Sequence, residues 1–171
     1  VIDGGAVNPR HLNKHIDYTK LHTDVPDMVD TTAKNHSLAT PLDMVFDSTG
    51  TTVYVAAFGS AKIGVLPTAT LEADTFDPTL DSANYIATGG GPTGLVLDEV
   101  RDKLYVLTRF DNSLEVIDLA SNSSQQVVPL HNPEPQSVID GRPMLYDAFS
   151  FSGNGEASCS SCHIFGDMDD L

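Results

Sequence analysis

PLDMVFDSTGTTVYVAAFGSAKIGVLP (Pro41–Pro67) lies over PTGLVLDEVRDKLYVLTRFDNSLEVID (Pro92–Asp118) at an offset of 51 residues, without a gap. Six positions are identical: Pro41/Pro92, Val45/Val96, Asp47/Asp98, Tyr54/Tyr105, Val55/Val106 and Val65/Val116. Others are like for like, among them Phe46/Leu97, Val53/Leu104 and Ile63/Leu114. Each unit reads as a short apolar strand ending in Asp, a polar turn, a second strand, another polar turn and a third strand. β-Branched and aromatic residues bounded by Gly, Asp, Asn and Ser are the mark of antiparallel hairpins. A fourth strand fits NYIATG (Asn84–Gly89) after the first unit and QQVVPL (Gln125–Leu130) after the second.

Four antiparallel strands repeating every ~40–50 residues predict β-propeller blades. The expected class is mainly β: partial four-stranded blades near 37–88 and 89–130, followed by a short, partly helical C-terminal segment. The pattern LYV…N…EVID (Leu104–Asp118) resembles the YVTN-type, lactonase-like propeller repeat over about residues 37–130. Val1-Ile2-Asp3 matches Val116-Ile117-Asp118 and is expected to be the tail of a further third strand. Two blades and a fraction do not close a ring of about four to eight. Further blades, from more of the same chain or from another chain, are therefore expected. A small open β-sandwich that happens to repeat is the alternative.

Two stretches break the spacing. Residues 4–36 and 68–84 are polar, carry Pro or Asp, and read as long loops over one propeller face. The propeller part is expected to end at residue 130. From 131 to 171 the expected organisation is a Pro-rich linker (HNPEPQ, His131–Gln136) and a separate C-terminal segment. Within it, SVIDGRPMLYDAF (Ser137–Phe149) reads as a short helix ending near Asp147, although Pro143 falls inside it.

Composition narrows the partners. Asp and Glu outnumber Lys and Arg by 24 to 9, a net charge of −15, which repels nucleic acid and anionic lipid and suits a hydrated surface or a basic partner. No run approaches the ~18 apolar residues of a membrane span. The chain starts at Val1 rather than Met, without a visible signal peptide, so upstream residues are expected to have been removed.

The chemistry concentrates in GEASCSSCHIF (Gly155–Phe165), which holds the two cysteines of the chain spaced C-x-x-C, with a histidine next. In such a motif each thiol adds to one haem vinyl group, one helical turn sets the sulfur spacing, and the adjacent imidazole becomes the proximal ligand. Those roles fall to Cys159, Cys162 and His163, with covalent haem c as cofactor and His163 on the iron. Attachment outside the cytoplasm makes a periplasmic or extracellular location the expectation. A redox C-x-x-C, a partial zinc site or an inert pair are the other readings; no thioredoxin-like βαβ pattern or second ligand pair supports the first two.

DGRPMLYDAFSFSGNGEASCSSCHIFGDMDDL (Asp140–Leu171) resembles the first haem-binding segment of the bacterial di-haem cytochrome c peroxidase family, which implies that 131–171 is a linker and a truncated haem-attachment segment, the partly helical start of a c-type cytochrome domain. Gly141, Leu145, Tyr146, Asp147, Ser152, Gly155, Ser158, Cys159, Cys162 and His163 carry the match; Tyr146 stands where Phe is usual and Phe151 where Leu is usual. The resemblance implies electron transfer and, in a full-length protein, a peroxidase-like oxidoreductase served by a redox partner protein or a small-molecule substrate. The family carries two haems, whereas this chain has one C-x-x-C-H and eight residues after His163. Its catalytic residues are unassigned. For the sixth iron ligand, Met168 and His131 are candidates; His11, His15, His22 and His36 lie in or beside the first insertion. His11 and His15 would share a face if RHLNKHI is helical, yet loop histidines are the plainer account.

The rival from another class is a non-enzymatic propeller scaffold without haem. TGGGPTG (Thr88–Gly94) shares glycines with phosphate loops but lacks their G-K-[ST] ending, so it reads as a blade-entry turn. Asp167–Asp170 and the aspartates of the second insertion are a weak candidate for Ca²⁺, against a solvated acidic surface.

Overall fold

The computed structural model describes residues 1–3, 5–19, 32–163 and 167. Strands β1 (Ile2–Asp3) and β2 (Ala6–Val7) form a two-stranded hairpin of their own, with Ile2 opposite Val7 and Asp3 opposite Ala6. The Asn8 amide reaches the Val1 carbonyl at 2.8 Å and closes it. Val1-Ile2-Asp3 is thus paired locally rather than as the third strand of a four-stranded unit. A short helix, α1 (Ala33–His36), then leads into the first repeat.

Strands β3 (Pro41–Phe46), β4 (Thr52–Ala57), β5 (Lys62–Pro67) and β6 (Ile86–Ala87) form one antiparallel meander in the order β3-β4-β5-β6. Strands β7 (Pro92–Asp98), β8 (Lys103–Thr108), β9 (Ser113–Asp118) and β10 (Ser123–Pro129) form the second, ordered β7-β8-β9-β10. The molecule is therefore mainly β, with two four-stranded antiparallel sheets, an arrangement consistent with partial propeller blades. The repeat is obeyed down to its irregularities. Both first strands open on a proline, which gives up an amide a strand start does not need. Both carry a bulge just after it, between Pro41 and Asp43 and between Pro92 and Gly94. Asp47 and Asp98 organise equivalent turns. Asp47 Oδ1 accepts from the amides of Thr51 at 2.7 Å and Thr52 at 3.2 Å, and Asp98 accepts from the Arg101 amide at 3.2 Å and its guanidinium at 2.8 Å. Partial desolvation pushes the Asp47 carboxyl up, but donation from Thr52, Thr51 and Thr49 outweighs it and brings it to about 2.

The sheets pack face to face. Ala56, Ile63 and Ile86 of the first bury against Leu95, Leu104, Val106 and Ile117 of the second, with Val45, Tyr54 and Val65 packed around them. Each fully buried Leu or Ile contributes roughly 1.5–3 kcal/mol. The far face of the first sheet has its own cluster, in which Leu38 and Phe76 cover Val53, Val55, Ala57 and Leu66. Phe76 comes from the second insertion, which folds into helices where loops were expected. They are α2 (Thr68–Glu72), α3 (Pro78–Asp81) and a 3-10 turn at Ser82–Asn84. The local reason for α3 is legible: the Asp77 carboxylate caps the Thr79 amide at 2.9 Å, and Pro78 opens the helix where no amide partner exists. Between the sheets, Gly91 shows why the TGGGPTG turn needs glycine: its φ is +70°, and a Cβ there would stand 2.7 Å from Phe110 and 2.9 Å from Phe58.

After β10 come α4 (Gln136–Tyr146) and α5 (Ala148–Phe151). The expected helix end holds: α4 stops at Tyr146 with Asp147 as its cap, and it contains Pro143. These helices are bound to both sheets. Arg142, 8 % exposed, donates to the carbonyls of Arg109 at 3.1 Å and Phe110 at 3.2 Å and pairs with Glu134. Phe58 meets Phe110 and Tyr146 edge to face, at centroid distances of 5.3 and 5.4 Å. Among the described residues, no helix is long and apolar enough to cross a membrane.

Ile63 and Leu104 are both 0 % exposed, and both touch the opposite sheet. Ile63→Ala and Leu104→Ala should each cost about 2–5 kcal/mol in urea unfolding followed by circular dichroism. Val100→Ala, at a turn position 92 % exposed, should stay within about 0.5 kcal/mol of wild type.

Candidate functional site

The approach to the cysteine motif is fixed step by step. Asp147 caps α5 by accepting from the Ser150 amide at 3.0 Å. The Phe149 ring of α5 lies under two ammonium groups, Lys62 Nζ at 4.6 Å and Lys34 Nζ at 5.3 Å from its centroid. Lys62 Nζ also donates to the carbonyls of Lys34 at 2.9 Å and Asn35 at 3.0 Å, so one side chain ties β5, α1 and α5 together. Desolvation by burial pushes the Lys62 ammonium down to about 8, with the nearby Asp147 charge opposing. Ser37 Oγ donates to the Asn154 carbonyl at 2.6 Å. One residue on, Gly155 has φ +74°, and a Cβ there would fall 2.6 Å from Lys34 Cβ and 2.9 Å from its Cα. Only glycine allows the chain to pass so close to α1.

The motif itself forms one tight turn. Cys159–Ser161 is a 3-10 turn entered from Ser158, whose amide donates to Ser161 Oγ at 3.1 Å. The amides of Cys162 and His163 reach back to the Cys159 carbonyl at 3.2 and 2.9 Å. Cys159 and Cys162 are free thiols, both exposed. His163 Nδ1 lies 3.0 Å from the Asp167 carbonyl oxygen. A carbonyl only accepts, so Nδ1 is the donor of this bond and Nε2 is the ring nitrogen left outside it. These residues could hold haem c: two accessible sulfurs on a single turn, and an imidazole held through Nδ1.

The remaining candidates lie elsewhere. His131 is exposed beyond β10, and its carbonyl accepts from Asn112 Nδ2 at 2.8 Å. Residues 12–15 form turns rather than a helix, so His11 and His15 do not share a helix face. His11 meets Tyr18 edge to face at 5.6 Å, whereas His15 meets His36 at 5.6 Å and bonds the Ala33 carbonyl and Ser37 Oγ. His36 Nδ1 bonds Ser82 Oγ at 2.6 Å. These histidines staple the first insertion to α1 and the second insertion. His22, Met168, Asp169 and Asp170 lie outside the described residues. The aspartates of the second insertion have local partners. Asp74 pairs with Lys14 at 2.5 Å, Asp77 caps α3, and Asp81 accepts from the Asp77 amide at 3.0 Å. Among the described residues, no three His, Cys, Asp or Glu side chains gather in a way that could hold a metal ion.

A groove that the sequence did not announce runs beside the motif. It measures about 790 Å³ and is walled by Leu42, Phe58, Val138, Leu145 and Tyr146, with Arg109 and Glu134 at its edge and Ser160 at the motif end. Its walls come from β3, the turn after β4 and α4, segments far apart in the chain, so no local pattern could have shown it.

No family model matches the sequence, and no curated protein matches it. Among solved structures the chain is similar to Kuenenia stuttgartiensis hydrazine synthase, at a TM-score of 0.46 and 15 % identity, over 56 % of this chain and 24 % of that one. The chain thus spans about a quarter of that structure's length, and a likeness of this extent carries no argument about activity.

The lowered Lys62 gives a pH signature. Its folded value of about 8 lies below the ordinary 10.5, so between those limits the unfolded chain binds more protons than the folded one. Stability from this group therefore rises with pH across that window, and below pH 8 the cost of the desolvated charge is fully present. The urea midpoint should climb more steeply between pH 8 and 10 in wild type than in Lys62→Met, the difference removing contributions that the two proteins share.

Proposed function

We propose that this chain is a haem c-binding electron-transfer protein, with Cys159 and Cys162 carrying the macrocycle by thioether bonds and His163 ligating its iron. The observation that supports it is the single turn closed on the Cys159 carbonyl, with the His163 ring held through Nδ1. The bound haem would supply a one-electron centre. The chain's own contribution is positional. Ser158 starts the turn, the Cys159 carbonyl accepts from the Cys162 and His163 amides, and the Asp167 carbonyl holds the imidazole through Nδ1. Lys62, Arg142 and Gly155 seat the approach to this motif against the sheets, so residues 136–155 pack on the β part.

On this reading residues 1–130 are part of a YVTN-type propeller, and residues 131–171 begin a c-type cytochrome segment like that of the di-haem peroxidases. Peroxidase-like oxidoreductase activity belongs to the proposal for a full-length protein, as do an exported, periplasmic or extracellular location and a redox partner. The charge of −15 favours a basic partner.

The test is production in a host competent for cytochrome c maturation. The proposal expects a red protein whose Soret band survives acid–acetone extraction, with one haem added to the peptide containing Cys159 and Cys162. Changing both cysteines to Ala should abolish retention. His163→Ala should keep the thioethers and lose the imidazole-ligated low-spin spectrum. Unmodified cysteines in protein from such a host would overturn it.

A further inference from the structure

The groove beside the cysteine motif joins apolar walls to a charged rim. Its volume of about 790 Å³ lies within the roughly 300–1,000 Å³ of small-molecule sites. Phe58 is held edge to face by both Phe110 and Tyr146, so this part of the wall is set before any ligand arrives. The rim carries Arg109, Arg142 and Glu134, two cations and one anion, in a chain whose net charge is −15. Arg142 is fully engaged, by the carbonyls of Arg109 and Phe110 and by Glu134. Arg109 is not. Its side chain is 44 % exposed, and both terminal nitrogens reach one Glu134 oxygen at 3.4 Å, the same oxygen that Arg142 holds. Burial, and then the Arg109 cation, push the Arg142 guanidinium below its ordinary value, with Tyr146 opposing. The two cations therefore feel one another across a shared carboxylate. A separate observation comes from α4. Gly141 sits inside this helix, where glycine costs stability, and it lines the groove. A Cβ there would meet nothing within 4 Å, so no neighbour requires glycine; the space it leaves is groove.

We propose that this groove binds a small monocarboxylate with an apolar body, its carboxylate on Arg109 and its body against Phe58, Leu145 and Tyr146 over Gly141. The charge balance selects the ligand class. Two guanidiniums and one carboxylate leave a single positive charge, which a monoanion neutralises and a doubly charged phosphate exceeds. The planar fork of Arg109 suits a carboxylate taken by two parallel bonds, stronger than its long contacts to Glu134. The walls favour an apolar body, because they offer it few polar partners. Ser160, between the two cysteines, lines the near end, so the ligand lies next to the motif. The inference concerns the groove and holds whether or not the cysteines carry haem.

Isothermal titration calorimetry of the 171-residue chain with 2-naphthoate tests it, against the neutral 2-naphthalenemethanol. Salt of about 0.15 M, with a Debye length of about 8 Å, screens the distant acidic surface but not charges in contact. The expected result is saturable binding of one naphthoate per chain, with the alcohol weaker by about tenfold or more. Arg109→Met should bring naphthoate down to the level of the alcohol and leave the alcohol unchanged. Gly141→Leu should remove binding of both by filling the groove, without lowering the melting temperature, since leucine is the better helix former. Leu42→Trp, at a position 53 % exposed on β3, fills the groove from the opposite wall and answers for any disturbance of α4. Val100→Asp should bind as wild type does. Absence of binding up to about 1 mM naphthoate overturns the proposal. So does equal affinity for acid and alcohol, full affinity in Arg109→Met, or full affinity in Leu42→Trp.

Discussion

The junction between the two sheets is the contact on which the rest of the molecule depends. Neither meander could bury both of its faces alone, and a four-stranded sheet with an apolar face is stable only when that face is covered. Ile63, Leu104, Val106 and Ile117 supply the dry centre, and the Val45–Tyr54–Val65 row closes over it. The two units share six identical positions and the same strand order and register, so the two sheets can be compared position by position. The shared bulges and aspartate turns keep the two sheets alike enough for that comparison to hold residue by residue.

The C-terminal segment depends on this junction indirectly. Arg142 finds its acceptors on the carbonyls of Arg109 and Phe110, at the β8–β9 turn, while Lys62 and Phe149 bind α5 to β5 and α1. One helix is therefore fixed to the second sheet and the next to the first, so the segment leading to Cys159 bridges the pair. Phe58, Phe110 and Tyr146 fill the space between them. The lowered Lys62 shows what this bridging involves: a cation is held where water is scarce, satisfied by two carbonyls and a ring face.

The cysteine motif is legible because its chemistry is local. A C-x-x-C-H pentapeptide spans a single turn, and the bonds that close the turn run within it, from the amides of Cys162 and His163 to the Cys159 carbonyl. The strands are legible for a related reason: alternation and turn residues are short-range, and an internal repeat doubles the signal. The second insertion reads as loop because Thr68–Asn84 is polar, yet it folds into helices, and Asp77-Pro78 is a capping signal in plain view. The first insertion gives less. Its histidines are partners of α1 and Ser82, which no spacing rule relates to them.

The sequence by itself determined the β class, the two repeats with their approximate strand boundaries, the helix ending at Tyr146 and the turn that presents Cys159, Cys162 and His163, because each rests on contacts between residues near in the chain or on an ungapped internal repeat. Only the tertiary structure decided that the N-terminal strand pairs with its own neighbour, that α4 and α5 clamp onto different sheets, that a groove opens beside the motif, and that Val96 stays exposed where its counterpart Val45 is half-buried. Those outcomes turn on which distant surfaces meet and exclude water, and burial of that kind is a property of the assembled chain rather than of any stretch of it.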